Sequence, residues 1–84
     1  MHVTLKLYAT LTDYLPPAAR AGNRVELDLE EGATIAAAVE PFNLPPRLTH
    51  LVLVNGLFVP PAERATCALR EGDVLAIWPP IAGG

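Results

Sequence analysis

Four Pro-Pro pairs, Pro16-Pro17, Pro45-Pro46, Pro60-Pro61 and Pro79-Pro80, cut this chain into stretches too short for a helical bundle. Proline has no backbone N–H, fixes its own φ and pushes the residue before it out of the helical region, so regular elements end at or near each pair. With Pro41, nine of the 84 residues are proline. A chain of this length buries roughly 60% of its extended surface on folding, enough for one small core. The expectation is a single domain of short elements without a large internal active-site cavity.

Between the breaks, the apolar residues follow the period of strands. Val3, Leu5 and Leu7 alternate with Thr4, Lys6 and Tyr8, which predicts a first strand over about residues 2 to 8 with one buried face. Thr10 to Leu15 suits a short helical turn with Leu11 and Leu15 on one side. Val25, Leu27 and Leu29 alternate with acidic and basic residues and predict a second strand over about 24 to 29. Thr34 is placed to cap a helix from Ile35 to about Glu40, where Ile35, Ala38 and Val39 share a face and Pro41 marks the limit. Leu51 to Val54 is an unbroken apolar run, read as a central strand. It leads into Asn55-Gly56, a strong hairpin signal, and a short return strand over Leu57 to Val59. Glu71-Gly72-Asp73 then turns the chain into a last strand, Val74 to Trp78. Leu75 and Ile77 face the core there, and Val74, Ala76 and Trp78 the other side. Leu5 and Leu53 are read as core positions.

The order strand, strand, helix, strand, short strand, strand predicts an α+β fold. We read it as a β-grasp, or ubiquitin-like, mixed sheet with one main helix packed across one face, the strand-helix-strand crossover joining parallel neighbours. The rival arrangement is a small β-barrel with one helix. The folded domain is expected over residues 1–78 and a flexible Gly-Gly tail over 79–84.

Composition narrows function mainly by exclusion. Six Lys and Arg against nine Asp and Glu give a net charge of −3, which opposes binding to nucleic-acid phosphates. No window approaches the roughly 20 apolar residues of a membrane span, and the N-terminus alternates instead of opening an apolar run, so a soluble cytoplasmic protein is expected. Cys67, alone, makes no intramolecular disulfide and has no flanking base; it reads as a small, partly buried apolar residue. His2 and His50 have no metal-ligand spacing, and His50 reads as a structural or surface residue. No catalytic constellation, metal site or bound cofactor is expected of this chain.

The informative segment is the end, Trp78-Pro79-Pro80-Ile81-Ala82-Gly83-Gly84. Pro79-Pro80 stiffens the exit from the last strand and removes two donors that would pair it back into the sheet. Gly83-Gly84 has no side chain to obstruct a narrow channel. Seven extended residues reach at most roughly 23 Å, enough to carry a terminal carboxylate into another protein's active site. Trp78 is a candidate docking aromatic, with Phe58 and Ile81 as neighbours and Pro79, Pro80 and Ala82 continuing the segment.

These features resemble the ubiquitin-like sulfur carriers of the MoaD/ThiS type, and most closely the small subunit of molybdopterin synthase. The resemblance runs over nearly the whole chain. It rests on Leu7-Tyr8-Ala9-Thr10-Leu11, Val54-Asn55-Gly56, Leu69-Arg70-Glu71-Gly72-Asp73-Val74 and Pro79-Pro80-Ile81-Ala82-Gly83-Gly84. It implies that an E1-like adenylating enzyme uses ATP to activate the carboxylate of Gly84, beside Gly83, for conversion to a thiocarboxylate. The sulfur would then pass to a pterin precursor in a larger synthase subunit during molybdenum cofactor biosynthesis. The catalytic groups would belong to the partners. Two alternatives stay open: a carrier for thiamine thiazole, cysteine or tRNA thiolation, and a ubiquitin-like protein modifier or interaction module.

Overall fold

The structure is a computed structural model and describes residues 1–80. Five strands form one sheet: β1 (His2–Leu7), β2 (Arg24–Asp28), β3 (Leu51–Val54), β4 (Leu57–Phe58) and β5 (Val74–Trp78), in the order β2-β1-β5-β3-β4. The pairings are antiparallel except for β1 with β5, which run parallel with Leu5 opposite Leu75 and Leu7 opposite Ile77. One main helix, α1 (Ile35–Val39), packs its Ile35 and Ala38 into the core. This is the β-grasp arrangement. The barrel is excluded because β2 pairs only with β1 and β4 only with β3, which leaves the sheet open at both edges.

Two expectations about the sheet are corrected. Its middle strand is β5, not Leu51–Val54, which lies one place further out between β5 and β4. Nor are the strands flanking the helix neighbours. β2 and β3 run in the same direction but are separated by β1 and β5, and those two, drawn from opposite ends of the chain, make the parallel contact. The placement suits the side chains. Leu75, Ala76 and Ile77 are all buried in β5, as befits a strand covered on both faces, whereas in β2 the charged Arg24, Glu26 and Asp28 are exposed at an edge.

The core lies between the sheet and the elements that cross it. Val3, Leu5, Leu7, Val52, Leu75 and Ile77 come from the strands, and Leu11, Leu15, Ile35, Ala38 and Leu69 from the connections. No polar or charged residue is buried among the described residues. Leu11 and Leu15 arrive through a 3-10 helix over Ala9–Tyr14, whose tight winding fits the space before Pro16. Leu53 is a further correction. Its neighbour Val52 is fully buried, while Leu53 stands opposite Ala76 and Phe58 on the other face and is outside the core cluster. A continuous apolar run carries no phase, so the alternation that marks β1 was absent at β3.

Local chemistry fixes the turns. Thr34 caps α1, its Oγ1 accepting the Ala37 N–H at 3.2 Å. Pro41 does not end the helical path: it sits in the first turn of a 3-10 segment over Glu40–Phe42, where a missing N–H costs no internal bond. Asn55 and Gly56 both have positive φ, 52° and 84°, the requirement of a two-residue hairpin turn that matches strand twist. The Asn55 side chain also accepts the Val74 N–H at 2.9 Å and donates to Asp73 at 2.8 Å. The hairpin is thereby tied to the start of β5. Among the described residues, no helix is long and apolar enough to cross a membrane.

Candidate functional site

The middle strand leads directly into Pro79 and Pro80, so the segment of interest leaves from the centre of the sheet. Pro79 is half-buried and Pro80 exposed. Ile81, Ala82, Gly83 and Gly84 lie outside the described residues. Two backbone bonds hold the exit: the Tyr8 N–H donates to the Ile77 carbonyl at 3.1 Å, and the His50 N–H to the Trp78 carbonyl at 3.2 Å. They bring the end of β1 and the start of β3 to either side of Trp78.

That placement creates an aromatic pair. The rings of Tyr8 and Trp78 stack with centroids 4.0 Å apart and planes 5° from parallel. Trp78 is half-buried and does not belong to the core cluster, so its packing partner is the Tyr8 ring on the sheet surface. The register extends the surface sideways: Trp78 stands opposite Leu51, Ala76 opposite Leu53, and Leu53 opposite Phe58. Phe58 is 55% exposed and Leu51 36%; among the described residues the other exposed large apolar side chain is Leu57, which alternates to the opposite face of β4. Phe58 and Trp78 thus share a face, with β3 between their strands. Leu51 and Leu53 connect them.

The other half of the same face is polar. On β1 and β2 the Thr4 hydroxyl donates to Glu26 at 2.6 Å, His2 Nε2 lies 3.0 Å from the same carboxylate, and Arg24 reaches it at 4.0 Å. The Thr4 hydrogen bond, with His2 and Arg24 beside it, holds the Glu26 carboxyl below its usual pKa. The sheet therefore presents an apolar half around Tyr8 and Trp78 and a hydrogen-bonded, charged half around Glu26. An apolar patch with a polar border has the make-up of a protein-docking surface.

Tyr8, Leu51 and Leu53 escaped the sequence reading of this surface. The signal for Tyr8 was its place in the alternation with Thr4 and Lys6, but its ring partner became visible only once β1 and β5 were known to be neighbours. His50 is exposed on the approach to β3, as read. Cys67 is partly buried against the core. Among the described residues no three His, Cys, Asp or Glu side chains gather to hold a metal ion.

Comparison with known proteins places these features in context. The model of the ThiS family matches residues 14–84. SAMP1 from Haloferax volcanii superposes with a TM-score of 0.70 at 27% identity, over 100% of both chains. A Pyrococcus furiosus protein assigned as molybdopterin converting factor subunit 1 gives a TM-score of 0.68 at 22% identity, over 96% of this chain and 99% of that one. In a complex of subunits 1 and 2 of the molybdopterin-converting factor from Helicobacter pylori, the matching chain gives a TM-score of 0.58 at 12% identity, over 100% of both chains. At those two lower identities the likeness is one of fold. No curated protein sequence matches significantly.

Proposed function

This chain belongs to the ThiS family of ubiquitin-like sulfur carriers, and on that premise we propose that its Gly84 carboxylate is the sulfur-carrying group in molybdopterin biosynthesis. The observation that carries the reading is the family match through residue 84, which takes in the whole Trp78-Pro79-Pro80-Ile81-Ala82-Gly83-Gly84 segment. A carboxylate is a poor electrophile. Attack of its oxygen on the α-phosphorus of ATP releases pyrophosphate and gives an acyl adenylate. A sulfide-level sulfur nucleophile then adds to the carbonyl and expels AMP, leaving a thiocarboxylate. An E1-like partner supplies the ATP site and catalytic groups; the carrier supplies an unhindered end and a surface to hold.

The acceptor is proposed as a larger synthase subunit. The aromatic-Pro-Pro tail ending in Gly-Gly supports this choice over a thiamine-type acceptor, since the carriers of thiamine synthesis resemble this tail less. The Helicobacter pylori factor, a complex of subunits 1 and 2, offers a parallel for such a pairing. The test is incubation of the purified chain with its activating enzyme, ATP and a sulfur donor, followed by addition of the larger subunit and the pterin precursor. A gain of about 16 Da, oxygen replaced by sulfur in an acyl substitution, is expected first. Its loss on turnover, with a dithiolene product, follows. An isopeptide-linked conjugate without any thiocarboxylate would instead identify a protein modifier.

The apolar half of the sheet is the proposed docking face. Trp78→Ala should weaken binding to the larger subunit or the activating enzyme by roughly 2 kcal/mol, as for a buried aromatic anchor, with Tyr8→Ala giving a comparable loss because it removes the other half of the stack. Calorimetric titration measures this on variants whose circular dichroism and Tm match the parent. Unchanged affinity in both folded variants would place the partner elsewhere.

A further inference from the structure

On the helix side of the sheet, between α1 and the 3-10 turns over Pro46–Leu48 and Pro61–Glu63, lies an open cleft of about 470 Å³. That is the size range of small-ligand sites. Buried Ile35 and Ile77 form its floor, with Val39 beside them, and Arg47, His50 and Arg64 stand around it. None of the chain's nine Asp and Glu residues lines the cleft, although they outnumber its six Lys and Arg. This concavity in an acidic protein is therefore cationic.

Arg64 is fixed in place. Its Nε donates to the Val59 carbonyl at 3.1 Å, Nη1 to Thr49 at 3.0 Å and Nη2 to His50 at 2.9 Å. Three neutral carbonyls hold the guanidinium still, and each terminal nitrogen keeps a second N–H beyond the one given away. Neither Arg64 nor Arg47 forms an ion pair among the described residues. Partial burial pushes the Arg64 pKa down from the usual guanidinium value. Arg47 and His50 are both exposed where they line the cleft.

We propose that this cleft binds a small carboxylate with an apolar body, the carboxylate on Arg64 and Arg47 and the body over Ile35 and Ile77. An anion there supplies the missing counter-charge, and a fixed guanidinium loses little freedom in binding it. The apolar floor selects an organic carboxylate over free phosphate, which would leave the floor uncovered while needing more donors than Arg64 has to spare. The cleft lies on the opposite side of the sheet from the Tyr8 and Trp78 stack, so a ligand in it and a partner on that face do not compete for the same side chains.

Octanoate is a suitable probe, titrated into the full-length chain and followed by amide chemical shifts. We expect saturable shifts confined to the cleft, around Ile35, His50 and Arg64, with Kd near 1 mM or tighter, within the reach of a ligand of this size. Arg47→Ala, an exposed change that leaves the carbonyl anchors intact, should weaken binding about tenfold, as for loss of a charge-assisted hydrogen bond. Arg64→Lys, which keeps the charge but loses the fork, should do likewise. Neutral octanamide and inorganic phosphate should each bind at least about tenfold less tightly on the same ground. Octanamide binding as well as octanoate, shifts centred on Trp78, an acidic peptide of equal charge binding more tightly than octanoate, or unaltered affinity in Arg47→Ala would each overturn the assignment. The result is independent of sulfur loading, because the probe is added to unmodified protein and no cleft residue belongs to the tail.

Discussion

Removal of Gly84 alone is expected to abolish thiocarboxylate formation completely while leaving the melting temperature within a degree or two of the parent. The first half follows from the proposed chemistry: the carboxylate would move to Gly83, one residue short, and a displacement of roughly 3.3–3.6 Å is far outside the tolerance of an acyl-transfer site. The second half follows from the distribution of the core, which among the described residues lies between Val3 and Ile77. A terminal glycine carries no side chain to bury, so its loss removes no apolar contact. Intact-mass spectrometry after incubation with activating enzyme, ATP and sulfur donor gives one readout, and calorimetric unfolding the other. Persistence of the mass gain in a chain lacking both Gly83 and Gly84 would sink the carrier reading. A large fall in Tm would show instead that the last residue contributes to the fold.

The elements themselves were readable because their signals are local. Alternation at Val3, Leu5 and Leu7 needs only the pleat, the Thr34 cap needs only a hydroxyl three residues before an N–H, and Asn55-Gly56 needs only positive φ at two adjacent positions. Neighbourhood was less accessible. The parallel pairing of β1 with β5 joins the two ends of the chain, and no local pattern announces which strand a given strand lies against. Placing Leu51–Val54 at the centre was a reasonable inference from its continuous apolar run, since such runs mark strands covered on both faces. In this sheet the outer residues of β3, Leu51 and Leu53, belong instead to the partly exposed surface patch.

The same division applies to the sites. The tail chemistry proposed for Pro79 to Gly84 rests on the sequence alone, because backbone stiffness, an absence of side chains and a terminal carboxylate are all properties of residues in sequence. Of the aromatic surface proposed for docking, Trp78 and Phe58 stood out in the sequence as types and Tyr8 did not, since its ring meets Trp78 only through the β1 to β5 pairing. The cationic cleft was wholly hidden. Arg47 and His50 come from the connection before β3 and Arg64 from the one between β4 and β5, and Arg64 is committed to three carbonyls that only the folded loops bring within reach.

Truncation of the inner face should separate sharply from truncation of the outer one. Leu5 and Leu75 are fully buried and stand opposite each other in the central parallel pair, so Leu5→Ala or Leu75→Ala should cost about 2–5 kcal/mol, combining lost transfer energy with the cavity left behind. In a chain of this length total stability is expected at only about 4–13 kcal/mol, at the usual contribution per residue. One such substitution therefore brings the domain close to unfolding, with a Tm lowered by roughly 4–8 °C per kcal/mol. Leu53→Ala is a change of identical chemistry two strands away from β1, but its side chain is half-exposed beside Ala76 and Phe58. It should cost under about 1.5 kcal/mol, because a partly solvated leucine loses less transfer energy and leaves no closed cavity. Urea unfolding of the three variants, compared at equal m-values, measures the difference. Equal losses at Leu5 and Leu53 would mean that the outer face is covered by something within the domain, and the apolar patch around Trp78 would then no longer be free to receive a partner.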